Sequence, residues 1–134
     1  MKKKFKLQPD DTPLEWAEQA MLFEWKSKIG IHRWPELRWM FATGNGLKLP
    51  IGQRVKFQRC GGMTNGIPDV VVPVARPPHC GLYLEMKRMA GGRTSPEQDE
   101  CLAFLRDQGY VAWMAKGWRD AVEIIERYME GRSQ

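Results

Sequence analysis

The fold of this chain is decided by residues 66–87, which read GIPDVVVPVARPPHCGLYLEMK. Two runs of β-branched and aliphatic residues flank a segment rich in proline and glycine, a pattern that predicts two antiparallel strands. Side chains alternate between the faces of a strand, so Glu85 and Lys87 share one face. A turn centred on Pro77 places Asp69 directly across from Glu85. The hairpin is therefore expected to bring two carboxylates and a lysine together.

Two facing carboxylates need a compensating charge. Like charges directly opposite each other destabilise a strand pair, and a divalent cation removes the repulsion because hard cations bind carboxylate oxygens. Lys87 is then placed to orient or activate a water molecule. Two carboxylates, a metal ion and a lysine suit metal-assisted hydrolysis of a phosphodiester. Taken alone, the pattern is equally compatible with an exposed hairpin that carries scattered charges.

Composition and charge limit the classes to which this chain can belong. Its 134 residues are enough for one domain with a single core, and a hydrophobic share of 43% favours a globular chain over a disordered one. The net charge of +5 and the pI of about 9.3 favour a polyanionic partner, nucleic acid first.

Cysteine usage and hydropathy bear on the compartment. The cysteines are odd in number and widely spaced, so they indicate neither a zinc site nor a disulfide framework, and a reducing cytosol is expected. The sequence has no run of about 18 apolar residues and no apolar signal segment after its basic start, so we expect no membrane contact. The cysteines are Cys60, Cys80 and Cys101.

The N-terminal part is predicted to be a loose basic arm over residues 1–11, followed by the folded domain over residues 12–134. The domain opens on a helix start. Thr12 is a suitable N-cap, Pro13 suits the first helical position, and Glu15 completes a capping box.

The first helix is expected to run to about Lys28 and to stop near Gly30. Glu18 falls inside its apolar stripe, where a carboxylate is costly unless it is paired or bound. Glu18 is thus either a glutamate at the stripe edge that reaches solvent or a third acidic group that points into the site. The stripe consists of Leu14, Met21, Leu22, Trp25 and Ile29.

The middle of the chain carries weaker signals. The pair Trp34-Pro35 interrupts the helical pattern, and residues 37–43 are apolar enough for a strand. Residues 44–46, Gly-Asn-Gly, suit a turn. Residues 53–60 are compatible with a short helix ended by a glycine pair.

This middle segment is also the most basic part of the chain interior, and a second basic loop follows the hairpin. Basic and amide side chains are common contacts of phosphate groups, so these segments are a candidate DNA-binding surface. Solvated basic loops are the competing interpretation. The candidate DNA-binding residues are Asn45, Lys48, Arg54, Lys56, Arg59, Asn65, Arg88 and Arg93.

The C-terminal half continues with helix and strand in alternation. Ser95 is predicted as an N-cap, Pro96 as the first helical residue and Gln98 as the capping-box partner. The side chain of Gln98 faces the sheet side of this helix, so it can instead reach the site. Gly109 ends the helix, and residues 110–115 form an apolar strand.

A last helix is predicted over residues 118–129. The order of elements is then helix, three strands, helix, strand, helix, which indicates an α/β domain with a small mixed β-sheet flanked by helices. The strand–helix–strand unit over residues 82–115 is expected to make a parallel crossover. The buried stripe of the last helix is predicted to be Ala121, Ile124, Ile125 and Tyr128.

Three segments in this order resemble a known nuclease family. Residues 66–69 read GIPD, residues 84–87 read LEMK and residues 95–98 read SPEQ, with a glutamate on the preceding helix. Together they resemble the VRR-NUC domain, the virus-type replication-repair nuclease of the PD-(D/E)XK superfamily. The resemblance implies a single-domain, restriction-endonuclease-like fold, and stand-alone members of the family are typical of phages and bacteria.

The resemblance also implies roles for the site residues. Asp69 and Glu85 would ligate Mg²⁺ or Mn²⁺, and the backbone carbonyl of Met86 would complete the metal site. Lys87 would orient the attacking water and stabilise developing negative charge. Gln98 would support the site from the following helix.

The first helix would supply one further acidic residue. Glu18 matches the family position and would bind the metal directly or through water. Glu15 lies one turn away, but the stripe argument favours Glu18, and Glu15 is explained as a cap. The expected catalytic set is then Asp69, Glu85, Lys87, Gln98 and Glu18.

The resemblance implies a metal-dependent endonuclease that acts on branched DNA as a homodimer, in the cytosol of a bacterium or a phage-infected host. The resemblance implies Holliday-junction resolution as the leading activity, and a symmetry argument agrees in part, since two symmetric cuts need two sites and a twofold dimer supplies them. Trp34, Trp39 and Trp118 are candidates for a dimer interface or for stacking on unpaired bases, with core packing as the other use. A flap or sequence-specific endonuclease and a non-catalytic DNA-binding module remain open.

Overall fold

A computed structural model of the chain describes residues 14–45 and 49–134. The predicted basic arm, the helix start at Thr12 and Pro13, and Lys48 lie outside the described residues. Within the described ranges, no helix is both long and apolar enough to cross a membrane.

A four-stranded mixed sheet forms the centre of the domain. Neighbouring strands are antiparallel in the first two pairs and parallel in the last pair, in the spatial order β1-β2-β3-β4. The predicted α/β class with a small mixed sheet is confirmed, as is the parallel pairing across the strand–helix–strand unit. The strands are β1 (Phe41–Ala42), β2 (Val70–Val72), β3 (Leu82–Lys87) and β4 (Val111–Lys116).

The β2–β3 hairpin has the predicted register. Val70 pairs with Leu84, and continuing this register by one residue places Asp69 across from Glu85. The tip closes around Pro77 and the proline that follows it, through an isolated bridge. The hairpin therefore delivers the two carboxylates to the same edge of the sheet.

The first helix is longer than predicted. α1 (Glu15–Trp25) continues through a π-helical segment (Lys26–Gly30) into α2 (Ile31–Arg33), so the predicted stop near Gly30 is wrong. Gly30 has helical backbone angles, and a Cβ added there would lie 3.1 Å from the Trp25 ring. Gly30 thus permits close packing and does not end the helix.

Only part of the predicted stripe faces the core. Leu22 and Trp25 are buried, and Glu18, one turn before Leu22, is buried with them. Leu14 precedes the helix as its N-cap, and Ile29 lies in the π-helical segment, whose wider turn rotates it off the α-helical face. The predicted stripe residues that are exposed are Leu14, Met21 and Ile29.

Residues 37–43 form a strand only in part. A 3₁₀-helix (Pro35–Trp39) begins directly after the predicted break at Trp34, and β1 follows it. Proline suits this position because its φ angle is already helical and no N–H is needed there. The short helix predicted over residues 53–60 is present as α3 (Ile51–Arg59), and all of its residues are exposed.

Two further helices, α4 (Pro96–Asp107) and α5 (Trp118–Met129), flank the sheet as predicted. Ser95 caps α4 with a complete capping box, and Gly109 after the helix has a φ of 93°. α4 packs on β3 and β4, while α1 and α5 pack on each other and on β3. The fully buried residues of the α5 stripe are Ala121, Ile125 and Tyr128.

Candidate active site

Asp69, Glu85 and Lys87 lie together, just before β2 and at the end of β3. Oδ2 of Asp69 accepts a hydrogen bond from the Met86 N–H at 2.8 Å, and Nζ of Lys87 lies 3.3 Å from Oε1 of Glu85. The three charged residues are 7%, 2% and 7% exposed. Burying charged groups side by side is costly unless they are paired or bound. The cluster is therefore not an exposed hairpin with scattered charges.

The loop before β2 is held by side chains from the end of β1. Nδ2 of Asn45 donates hydrogen bonds to the carbonyls of Thr64 and Ile67 at 2.6 and 2.9 Å. Oγ1 of Thr43 donates to the Pro68 carbonyl at 2.8 Å. These bonds satisfy backbone carbonyls that no strand ladder satisfies, and they set the position from which Asp69 enters the site.

Gly66 brings the same loop against the start of α4. Its φ is +87°, and a Cβ built on it would lie 2.6 Å from the Glu97 carbonyl oxygen. Only glycine combines that backbone angle with so close an approach. The glycine of the GIPD segment thus couples the placement of Asp69 to α4.

Gln98 closes the capping box of α4 and also contacts Glu85, the two roles that the sequence allowed as alternatives. Its backbone N–H donates to Oγ of Ser95 at 3.2 Å, and its Oε1 accepts from the Ser95 N–H at 2.8 Å, which closes the capping box. Its Nε2 donates to Oε1 of Glu85 at 2.8 Å. The two functions use different atoms of one amide, so the cap sets the rotamer that holds Glu85.

Burial and mutual repulsion perturb the two carboxyl groups. Burial, followed by the neighbouring Asp69 carboxylate, raises the pKa of Glu85 to about 8, while Lys87 opposes the shift. Burial also raises the pKa of Asp69, against the hydrogen bond from the Met86 N–H. Within the described residues, the buried Oε2 of Glu85 has no hydrogen-bond partner. The Glu85 carboxylate is therefore held in place while no hydrogen-bond donor of the described residues compensates its Oε2.

The donor set fits a hard divalent cation. Such a cation would compensate both carboxylates and give Oε2 of Glu85 a partner. The described ranges contain no group of three or more acidic, histidine or cysteine side chains arranged to hold a metal. A cation would therefore take its other ligands from a backbone carbonyl and from water, and Mg²⁺ commonly keeps several water ligands.

The acidic residue that the first helix brings to the site is Glu15. Its Oε1 lies 4.0 Å from Nζ of Lys87, and it lines one cleft with Asp69. Glu18 is 1% exposed, and its Oε2 accepts a hydrogen bond from the Trp118 N–H at 2.6 Å. The structure thus brings Glu15 beside Lys87 and places the Glu18 carboxylate at the start of α5, the reverse of the expected placement, while the predicted catalytic role of Glu18 stays a prediction.

The positions of Glu15 and Glu18 follow from where α1 begins. The helix starts at Glu15 after Leu14, and within the described residues its N-cap makes no side-chain hydrogen bond. Glu18 instead satisfies a free N–H in the first turn of α5, where a carboxylate also interacts favourably with the helix dipole. In the sequence the two glutamates are one helical turn apart. This spacing does not decide which of them faces the sheet.

A cleft of about 370 Å³ opens beside the carboxylates. Of the predicted DNA-binding residues, Arg54 and Asn65 line this cleft with Asp69 and Glu85. Asn45 borders it as well, although its amide holds the loop before β2. The sequence did not single out Gln58 and Thr64, which also line it. Elsewhere on the surface, Lys56, Arg59 and Arg93 are exposed and Arg88 is half-buried.

The predicted tryptophans divide into two groups. Trp39 is 63% exposed, whereas Trp34 and Trp118 are half-buried and pack against the core. Trp16, which the sequence did not single out, is 64% exposed. Its position on α1, one residue after Glu15, is the sequence feature that could have marked it as a residue near the site.

The fold and the Asp…Glu-x-Lys site define a nuclease domain with the PD-(D/E)XK-like architecture. The model of the VRR-NUC domain matches residues 15–118, and the chain therefore belongs to this family. A solved structure named "VRR_NUC domain protein" is similar, with a TM-score of 0.70 and 26% sequence identity over 91% of this chain and 97% of that chain. No curated protein matches the chain.

Proposed function

We propose that this chain is a Mg²⁺- or Mn²⁺-dependent endodeoxyribonuclease that cleaves branched DNA, with cutting of four-way junctions by a homodimer as its main activity. The observation that carries the proposal is the buried set of Asp69, Glu85 and Lys87, in which Oε2 of Glu85 has no partner among the described residues. Burial of such a set is costly unless its charges are compensated, and its oxygens match the ligands of a hard cation.

The metal ligands would be Asp69, Glu85 and the backbone carbonyl of Met86. When bound, the ion would polarise the scissile phosphate and lower the pKa of a water ligand. Lys87 and Gln98 both contact Oε1 of Glu85. This leaves Oε2 available as a ligand and keeps the carboxylate from rotating.

Lys87 contributes positive charge where negative charge develops on the phosphate. Its ammonium group lies between Glu85 and Glu15, at 3.3 and 4.0 Å, and it is held there before substrate arrives. A charge that is positioned in advance costs no reorganisation during the reaction. Glu15 would hold water in the cleft and keep the lysine directed into the site.

DNA as the substrate is supported by the family and by charge. The net charge of +5 and the presence of Arg54 and Asn65 in the cleft suit a phosphate backbone. The four-way junction and the homodimer rest on a symmetry argument. Two coordinated cuts need two sites, and a twofold dimer of a domain this small supplies both.

Cleavage of a synthetic four-way junction with Mg²⁺ or Mn²⁺ tests the proposal, with cut sites mapped on all four strands. The variants are Asp69→Asn, which keeps the shape of the side chain, and Glu123→Gln, an exposed carboxylate on α5, as the control. Paired symmetric cuts that disappear only in Asp69→Asn are expected. Flap, splayed-arm and linear duplex substrates run alongside; cleavage of these alone would contradict the junction assignment, and no cleavage at all would contradict the nuclease.

A further inference from the structure

Asp69 also lines a second cleft, of about 360 Å³. It shares Glu15 and Asp69 with the polar cleft described above. Its other walls are mainly apolar, with Trp16, Phe23 and the Met86 side of the hairpin among them. The two clefts therefore meet at Asp69 and differ in chemistry: the cleft beside Glu85 is polar, and the second cleft is mainly apolar.

One face of α1 builds the apolar cleft. Trp16, Gln19, Ala20 and Phe23 follow the spacing of a single helical face, and all four line the cleft. This face is distinct from the Glu18 and Leu22 face that is buried against the core. Phe23 is half-buried and packs on the core, whereas the indole of Trp16 is largely in solvent.

We propose that this apolar cleft binds a nucleobase that a branch leaves unstacked next to the scissile phosphate, with the base stacked on Trp16. The inference rests on the proposed nuclease function and specifies its substrate. A nucleotide joins a charged phosphate to a flat ring, and the two clefts that share Asp69 offer each part a matching surface. Aromatic side chains are the usual platforms for unpaired bases, and the Gln19 amide at the wall can bond a base edge.

A base site at Trp16 would require the base stack to be interrupted where the strand is cut. A base in a duplex has both faces covered by its neighbours, so it cannot stack on Trp16 without leaving the helix. A base at a branch point or at the end of a duplex is already free on one face. Trp16 would thus select DNA whose base stack is interrupted beside the cut. It would be a specificity residue, while Asp69 and Glu85 would remain the metal ligands.

The test uses branched DNA with 2-aminopurine, a fluorescent adenine analogue that stacking quenches, placed next to the mapped cut. The full chain is measured as wild type, Trp16→Ala, Trp16→Phe and, as a control, Trp113→Ala, an exposed tryptophan on β4 at the far edge of the sheet. Fluorescence is read without divalent metal, so that binding is seen without cleavage. The cleavage rate is then measured with Mg²⁺ on the same DNA and on a copy with an abasic site at that position.

We expect Trp16→Ala to relieve the quenching and to lower kcat/KM by about 5- to 150-fold, the range for loss of one base–aromatic stack. Trp16→Phe should retain most of the quenching and most of kcat/KM, and Trp113→Ala should match the wild type in both measurements. On the abasic substrate the difference between wild type and Trp16→Ala should disappear. Normal quenching and normal cleavage in Trp16→Ala would overturn the proposal and leave the nuclease assignment intact. Quenching that depends on Trp16 in a protein without cleavage would support the base site and contradict the nuclease.

Discussion

Raising the pH of the metal-free protein should destabilise it, because Glu85 is buried beside the Asp69 carboxylate. Burial and the Asp69 carboxylate raise its pKa from 4.5 to about 8. The folded state therefore holds a proton that the unfolded state releases. The stabilisation is complete below the unfolded pKa of 4.5 and is lost as the pH rises through about 8.

The size of this effect follows from proton linkage. One proton held by the folded state alone changes the free energy of unfolding by about 1.4 kcal/mol per pH unit. Over the window between the two pKa values, the loss should reach about 3–5 kcal/mol, and the raised pKa of Asp69 acts in the same direction. Glu85→Gln removes this titrating group, so its stability should fall much less over that window, with the contribution of Asp69 remaining.

Urea denaturation with a chelator, at about pH 5, 6, 7 and 8, measures this dependence. Glu123→Gln controls for a carboxylate in solvent and should retain the wild-type slope, since its side chain is 65% exposed. A Glu85→Gln variant with an unchanged slope would refute the reasoning. Added Mg²⁺ should raise the stability of the wild type more at about pH 8 than at about pH 5, because the ion competes with protons for the same oxygens.

Three further predictions concern the residues around this carboxylate. Lys87→Ala should reduce cleavage by at least about 100-fold, as expected for loss of a preorganised charge, while junction binding in a gel-shift assay survives; lost binding would indicate a phosphate contact instead. Gln98→Ala should lower the free energy of unfolding by about 1 kcal/mol through loss of the cap. It should also weaken Mn²⁺ binding by about tenfold in titration calorimetry. Unchanged Mn²⁺ affinity would show that the bond from Gln98 to Glu85 is incidental. Glu18→Ala should lower the free energy of unfolding by about 2 kcal/mol through the lost bond to the Trp118 N–H, and Glu18→Gln by less. Abolished cleavage in a Glu18→Gln variant of normal stability would return Glu18 to the metal site.

Local sequence rules predicted the central hairpin and the α4 cap well. The register of β2 and β3 follows from a proline-rich turn between two β-branched runs, all within 22 consecutive residues, 66–87. The capping box at Ser95 likewise depends on four consecutive residues. Such features are short-range, so the backbone geometry that they favour survives in almost any tertiary setting.

The helical phase of the first segment could not be predicted in the same way. The π-helical segment Lys26–Gly30 changes the number of residues per turn, and the α-helical spacing then assigns Ile29 to the wrong face. Periodicity also cannot tell a buried carboxylate that caps another helix from one that binds a ligand. The stripe left open whether the Glu18 carboxylate reaches solvent or the site, and in the structure it is buried and accepts a hydrogen bond from the Trp118 N–H.

The sequence by itself determined the family, the sheet order at the hairpin and the pairing of Asp69 with Glu85, because each depends on residues close together in the chain. The tertiary structure decided which glutamate of α1 reaches the site. That choice depends on the Trp118 N–H, which lies 100 residues from Glu18 along the chain and is brought to it only when α1 packs on α5. It also decided that the Gln98 amide serves cap and site together and that Trp16 stands beside Asp69, since neither contact exists until α4 and α1 dock against the sheet.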